Sequence, residues 1–387
     1  MKLFYTNKAV FKTRNIIVGS MLCLGALTSC EGIYEDLPEC APPPDTFTTV
    51  NFVYDYNMEY RDYFNEHVGS VYLYVFDSIG VYQLRRELHR ADMREKVDFS
   101  IRFDSTEIKP GQTYQFVAVA QANHEGYVAS QETPGFSLKT EMVPGVSKID
   151  DYLLKLDRND DGDFDFGVVD YRDAYGNTET MMDTIWTTKP DEVQIVRIPE
   201  TKYIPSVNKM PDTEVNVTIP MMRITNSVKV NLINQSFNEN TSVDDYIILI
   251  DFPNGNGTID FTGATQPAQE LYYRALRKYM MKYEPTRAEG DQYALHSEFG
   301  LSRLQVTDGS SLQIRDAKTN EIIARIDDFS DFLAKYFADG FDNPQEFLDR
   351  EYDFSVDINL DDEGTIYYVD LTLNILGWHV RVNFTNL

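Results

Sequence analysis

The chain has 387 residues, with 62 acidic side chains against 35 lysines and arginines and a formal charge of −27. So acidic a surface argues against a nucleic-acid partner, which is a polyanion held through lysine and arginine, and it keeps the body soluble. Length predicts two domains and a sizeable core, and three cysteines leave little room for a disulfide framework.

The N-terminus reads as an export signal. Lys2, Lys8, Lys12 and Arg14 give a basic start, Ile16 to Leu27 is an apolar run, and Thr28 and Ser29 are small residues before Cys30. The run is shorter than the ~20 apolar residues a transmembrane helix needs. Leu27-Thr28-Ser29-Cys30 resembles the lipobox of bacterial lipoproteins. That resemblance implies cleavage after residue 29, a diacylglycerol on the Cys30 sulfur and an acyl chain on its amine. At roughly 0.8 kcal/mol per buried CH₂, two or more chains anchor stably where one is marginal. Cys23 would leave with the signal and Cys30 would carry lipid. Cys40 then stands alone, with no disulfide partner. Residues 30–45 read as a lipidated tether, because Pro38 and Pro42-Pro43-Pro44 favour extended chain.

Beyond the tether, alternation dominates. Val71, Leu73 and Val75 alternate with Tyr72, Tyr74 and Phe76. The same period of two recurs over 114–118, 193–197, 215–219, 228–232, 356–360, 369–375 and 380–384. It predicts strands with one face in a core. Turn-like gaps at Pro110-Gly111, Asn254-Gly255-Asn256-Gly257, Asp308-Gly309 and Asp362-Glu363-Gly364 fit β-sandwiches. Helical spacing appears from Phe329 to Phe337, and a second short helix starts at Asn343-Pro344, with Asn343 as cap and Pro344 in the first position. Residues 269–283 could be helix or loop. The expected fold is all-β: an N-terminal β-sandwich over 46–215, a C-terminal one over 216–387, and few short helices.

One local motif has metal-ligand spacing. Asp157, Asn159, Asp161 and Asp163, with Gly162, match the opening of an EF-hand calcium loop. The twelfth position is Val168 rather than glutamate, and the flanks do not read as paired helices. A solvated acidic turn is the competing explanation. His67, His89, His124, His296 and His379 are scattered without ligand spacing, and no nucleophile elbow, P-loop or Cys-x-x-Cys occurs. The sequence therefore points to no enzymatic activity and no cofactor besides the lipid, with calcium left open.

An ordered set of blocks carries a family resemblance. These are Ile33-Tyr34-Glu35-Asp36-Leu37-Pro38, Phe52 to Met58, Val71 to Asp77, Met222 to Asn226, Asn343 to Glu351 and Gly377-Trp378-His379-Val380-Arg381. The set resembles the FimB/Mfa-type fimbrial subunits of Bacteroidales. The resemblance implies two transthyretin-like β-sandwiches, an outer-membrane lipid anchor exposed at the cell surface, and fimbrial shaft subunits as partners through β-strand exchange. It implies an anchor or assembly subunit of a type V pilus. No Arg-rich processing loop is evident, so the first strand, around Val50–Tyr54, is expected to stay in place. Two rival readings are an accessory or tip-like adhesive subunit and a glycan-binding surface lipoprotein of a nutrient-uptake system.

Overall fold

The computed structural model describes residues 45–93, 98–122, 136–156, 167–169, 182–200, 212–283, 292–335, 340–361, 366–375 and 378–384. The strands of the first half are β1 (Thr46–Val53), β2 (Val68–Asp77), β3 (Tyr82–His89), β4 (Ser100–Phe103), β5 (Thr113–Ala122), β6 (Phe136–Leu138), β7 (Leu153–Leu156), β8 (Gly167–Val169), β9 (Ile185–Thr188), β10 (Gln194–Arg197) and β11 (Thr213–Arg223), with the single-turn helix α1 (Phe64–His67) before β2. The second half has β12 (Thr225–Asn234), β13 (Tyr246–Phe252), β14 (Thr258–Asp260), β15 (Leu271–Arg274), β16 (Arg277–Tyr283), β17 (Gln292–Ser302), β18 (Ser311–Asp316), β19 (Ile322–Ile326), β20 (Asp353–Leu360), β21 (Ile366–Ile375) and β22 (Trp378–Phe384). Between β19 and β20 lie α2 (Phe329–Ala334) and α3 (Pro344–Arg350). The all-β class read from alternation is the class observed.

The first sheet runs β3-β2-β5-β9-β11-β1-β4, with β9 and β10 following one another along the same strand, β5. Strand β11 serves two neighbours. Its residues 213–220 pair in parallel with β1, and residues 221–223 pair antiparallel with β9. The sheet contributes to a core that includes Val50 and Phe52 of β1, Leu73 and Val75 of β2, Phe116 of β5, Ile219 of β11 and Trp186 of β9. The second half builds a six-stranded sheet, β16-β17-β12-β20-β21-β22, and four strands of a five-stranded one, β19-β18-β13-β15-β8, whose last strand comes from the first half. Their inner faces supply Val228, Val230, Ile250, Phe299, Ile314, Val356 and Leu371 to the second core. Full burial of each such side chain contributes roughly 1.5–3 kcal/mol.

The halves share a topological habit. Each opens on a strand paired in parallel with a late strand of the same half: β1 with β11, and β12 with β20 over eight register pairs. Strand pairing also joins them. First-half strand β7 pairs with second-half β14, and β8 pairs with β15, so both second-half strands carry first-half neighbours. Strands β2 and β5 are buried on both faces. Leu73 and Val75 face the first core, while Tyr74, Phe76, Val117 and Val119 join the second cluster through Tyr152 and Leu154.

Both expected helices form. The Asn343 side-chain oxygen accepts the Glu346 N–H at 2.9 Å, with Pro344 in the first turn. Residues 269–283, left between helix and loop by the sequence, are neither; they hold strands β15 and β16. No helix among the described residues is long and apolar enough to cross a membrane.

Candidate assembly surface

Subunits joined by strand addition need open sheet edges and a body that survives without donating its own strands. Strand β1 is built in on both sides, eight residues against β11 and four against β4. Its Thr46, Thr48, Val50 and Phe52 side chains are buried. Withdrawing β1 would uncover the first core, so this strand is part of the folded body.

The sheet ends are β3 and β4 in the first sheet and β16 and β22 in the six-stranded one. Strand β16 pairs with β17 from Arg277↔Glu298 to Tyr283↔Gln292, and its other edge meets no strand among the described residues. Lys278 Nζ reaches back to the Tyr246 carbonyl at 2.9 Å, and Met280 packs on the core. Charges on an edge prevent indiscriminate pairing. Here Arg277, Lys278 and Lys282 are all cationic on an acidic chain. Arg277 lies 3.9 Å from Glu298 and Lys278 lies 3.8 Å from Asp244, so acidic neighbours within the body accompany these cations.

Behind that edge, a polar rung crosses the outer face of the six-stranded sheet through the register Tyr279, His296, Asn231, Asp357 and Asp370. Asn231 Nδ2 donates to Asp357 Oδ1 at 2.6 Å, and the Tyr283 hydroxyl donates to Asp357 Oδ2 at 2.7 Å. His296 Nδ1 lies 2.6 Å from Asn231 Oδ1, which requires the proton on that nitrogen. Asp357 and Asp370 are directly opposed in the register, an arrangement of like charges that is ordinarily destabilising; Asp357 accepts the two hydrogen bonds just given. Among the described residues no group of three or more His, Cys, Asp or Glu is arranged to hold a metal.

Two further polar devices fix the body behind the edges. Arg303 forms a bidentate buried pair with Asp349, at 2.8 and 2.7 Å, and donates to the Gly263 carbonyl at 2.7 Å. It thereby ties α3 to the end of β17 and the loop after β14. Arg350 sits over the rings of Tyr56 and Tyr60, 4.1 and 4.3 Å from their centroids, and donates to the Asn57 carbonyl. Tyr60 holds φ +53°, uncommon for a bulky residue, with its ring 61% exposed. Burial, aided by Asp349 and Glu346, pushes the Tyr56 hydroxyl up to about 12.

The most perturbed acid is Glu351, 5% exposed. Burial pushes it up to about 7, although its Oε1 accepts the backbone N–H groups of Tyr352 and Asp353 and Arg223 lies near. The Arg223 guanidinium lies 4.0 Å above the Tyr352 ring, and burial lowers its pKa. Tyr54 packs edge-on to Trp186. Burial raises its hydroxyl strongly, with a smaller contribution from Tyr352. Sequence reading missed this cluster, and the Arg303–Asp349 pair, because the partners are far apart in the chain. The one signal was the run Asp349-Arg350-Glu351, already part of the resemblance. Cys30, Cys40, the tether before residue 45 and the acidic loop with Asp157, Asn159, Asp161 and Asp163 lie outside the described residues.

Comparison with known proteins places this architecture. The chain belongs to the family of fimbrillin-A associated anchor proteins Mfa1 and Mfa2, whose model matches residues 38–384. Solved structures share the fold. A candidate polysaccharide-binding protein from Bacteroides thetaiotaomicron is 22% identical, covering 87% of this chain and 98% of its own, with a TM-score of 0.63. A candidate adhesin from the same organism is 19% identical, covering 89% and 100%, with a TM-score of 0.64. The fimbrial anchor protein Mfa2 from Porphyromonas gingivalis is 15% identical, covering 88% and 100%, with a TM-score of 0.55. No curated protein matches.

Proposed function

We propose that this chain is a lipid-anchored fimbrial subunit of the cell surface that fixes, or helps to assemble, a type V pilus. The observation that carries this reading is the match to an anchor family across residues 38–384. The built-in position of β1 supports it, because a subunit at the base of a fibre accepts a strand without surrendering its own. In this reading Cys30 bears the lipid, and residues 31–45 give the body reach from the outer membrane. The next subunit pairs along the edge of β16, which meets no strand among the described residues. Main-chain hydrogen bonds give such a joint its strength and alternate side chains its specificity. The reading assigns no catalytic step.

Two variants test it. Cys30→Ala should move the protein out of the outer-membrane fraction. Arg277→Glu combined with Lys282→Glu should leave the protein in the membrane while reducing the pilus material captured with it. Membrane retention of Cys30→Ala contradicts the lipid anchor, and undiminished capture by the β16 variant contradicts the edge.

A further inference from the structure

A cleft of about 720 Å³ lies over the small sheet β14-β7-β6, within the 300–1,000 Å³ usual for small-ligand sites. The period of two sets its floor. Leu154 and Ile259 turn to the core, so Leu153 and Lys155 of β7 and Thr258 and Asp260 of β14 turn to the cleft. Lys139 follows β6, Asp150 stands in the turn before β7, and Phe261 and Gln266 come from the loop after β14.

Three properties define what this cleft can take. First, its two lysines and two aspartates cancel in charge. Second, the side chains of Lys139, Lys155 and Asp150 make no hydrogen bond or ion pair among the described residues, so these donors and acceptors are available to a ligand. Third, one acceptor–donor pair is prearranged. Asp260 Oδ1 accepts the N–H groups of Thr262 and Ala264 at 2.8 and 3.1 Å and the Thr262 hydroxyl at 2.6 Å, and its Oδ2 accepts from Gln266 Nε2 at 2.6 Å, which fixes the Gln266 amide at the cleft wall. Phe261 adds an apolar surface beside this polar set.

We propose that the cleft binds a neutral saccharide. Sugar hydroxyls each donate and accept, so they call for interspersed donors and acceptors without net charge, and the C–H face of a pyranose suits an aromatic ring. A polyanion finds no net positive charge here, on a chain that is itself strongly negative. An extended peptide finds no strand edge at the centre of the floor, because β7 is paired on both sides. The inference does not depend on pilus anchoring.

The test is binding of the full-length protein to an array of neutral, sialylated and sulfated oligosaccharides, followed by calorimetry with the bound neutral members. Lys155→Ala and Asp150→Ala alter exposed side chains with no partner among the described residues, and unchanged melting curves confirm that each variant folds. Neutral oligosaccharides should bind, with little dependence on salt, and each variant should weaken binding at least tenfold. Absence of any neutral binder, binding confined to acidic glycans, or equal binding by both variants would overturn the proposal.

Discussion

Replacing Glu351 with glutamine should change how stability depends on pH more than any other single substitution at a described carboxylate. The folded protein holds this carboxyl at about 7 against an ordinary 4.5. At 1.36 kcal/mol per pH unit, that gap corresponds to roughly 3 kcal/mol. The sign follows from linkage. The folded state binds the proton more tightly than the unfolded chain, so the stabilisation is complete below about pH 4.5 and disappears as pH rises through about 7. Asp104, Asp316 and Glu346, whose pKa values are lowered by hydrogen bonds from Thr106, from the backbone N–H groups of Thr319 and Lys318, and from the backbone N–H of Asp342, act in the opposite direction. Urea denaturation of wild type alone would therefore mix the two, and the informative quantity is wild type minus Glu351→Gln at each pH. Glutamine keeps an oxygen for the Tyr352 and Asp353 amides, so the variant isolates the charge. Between pH 4.5 and 8 the difference should move by about 3 kcal/mol in favour of the variant. A difference flat across that range would refute the reasoning. It would show that Arg223, with Tyr54, Tyr352 and Asp353 around it, compensates the carboxylate as fully as water does.

Other substitutions probe the frame. Arg303→Met should cost about 3–5 kcal/mol in urea denaturation, because it leaves Asp349 buried and uncompensated; adding Asp349→Leu should restore most of the loss. Asn343→Ala should cost about 1 kcal/mol by removing the cap of α3, and Asn343→Asp should be near neutral. Gly255→Ala should lower the melting temperature well beyond Gly145→Ala. Both glycines have positive φ, but a Cβ at 255 would lie 2.4 Å from the Gln269 carbonyl oxygen, while one at 145 meets nothing within 4 Å.

The elements legible in the sequence are those with one buried face. Alternation over 228–232 marks β12, whose Val228, Val230 and Leu232 are buried while Lys229 and Asn231 are partly exposed; β20 is legible for a different reason, because its buried second face is polar, with Asp357 and Asn359 between Val356, Ile358 and Leu360. Two kinds of strand escaped. Strand β9 is buried at all four positions, so Ile185-Trp186-Thr187-Thr188 shows no period. Strands β15 and β16 mix aromatic, methionine and cationic residues, and the lysines of the edge extend past the core to reach water and Asp244. Their apolar positions consequently fit a helical period as well as an extended one. The expected leader and tether, with Cys30, rest on local order alone and lie outside the described residues. The Glu351 cluster and the saccharide cleft depend on which loops a distant strand pairing brings together, and no local pattern encodes that.

The central claim is that this body is held to the outer membrane by lipid and holds a fimbrium in turn. Mass spectrometry of the N-terminal peptide, taken from protein isolated with sheared cell-surface fimbriae, tests both halves at once. The account predicts a chain beginning at an acylated Cys30 and co-purifying with pilus subunits. An unacylated N-terminus on a protein that never accompanies fimbriae would contradict it.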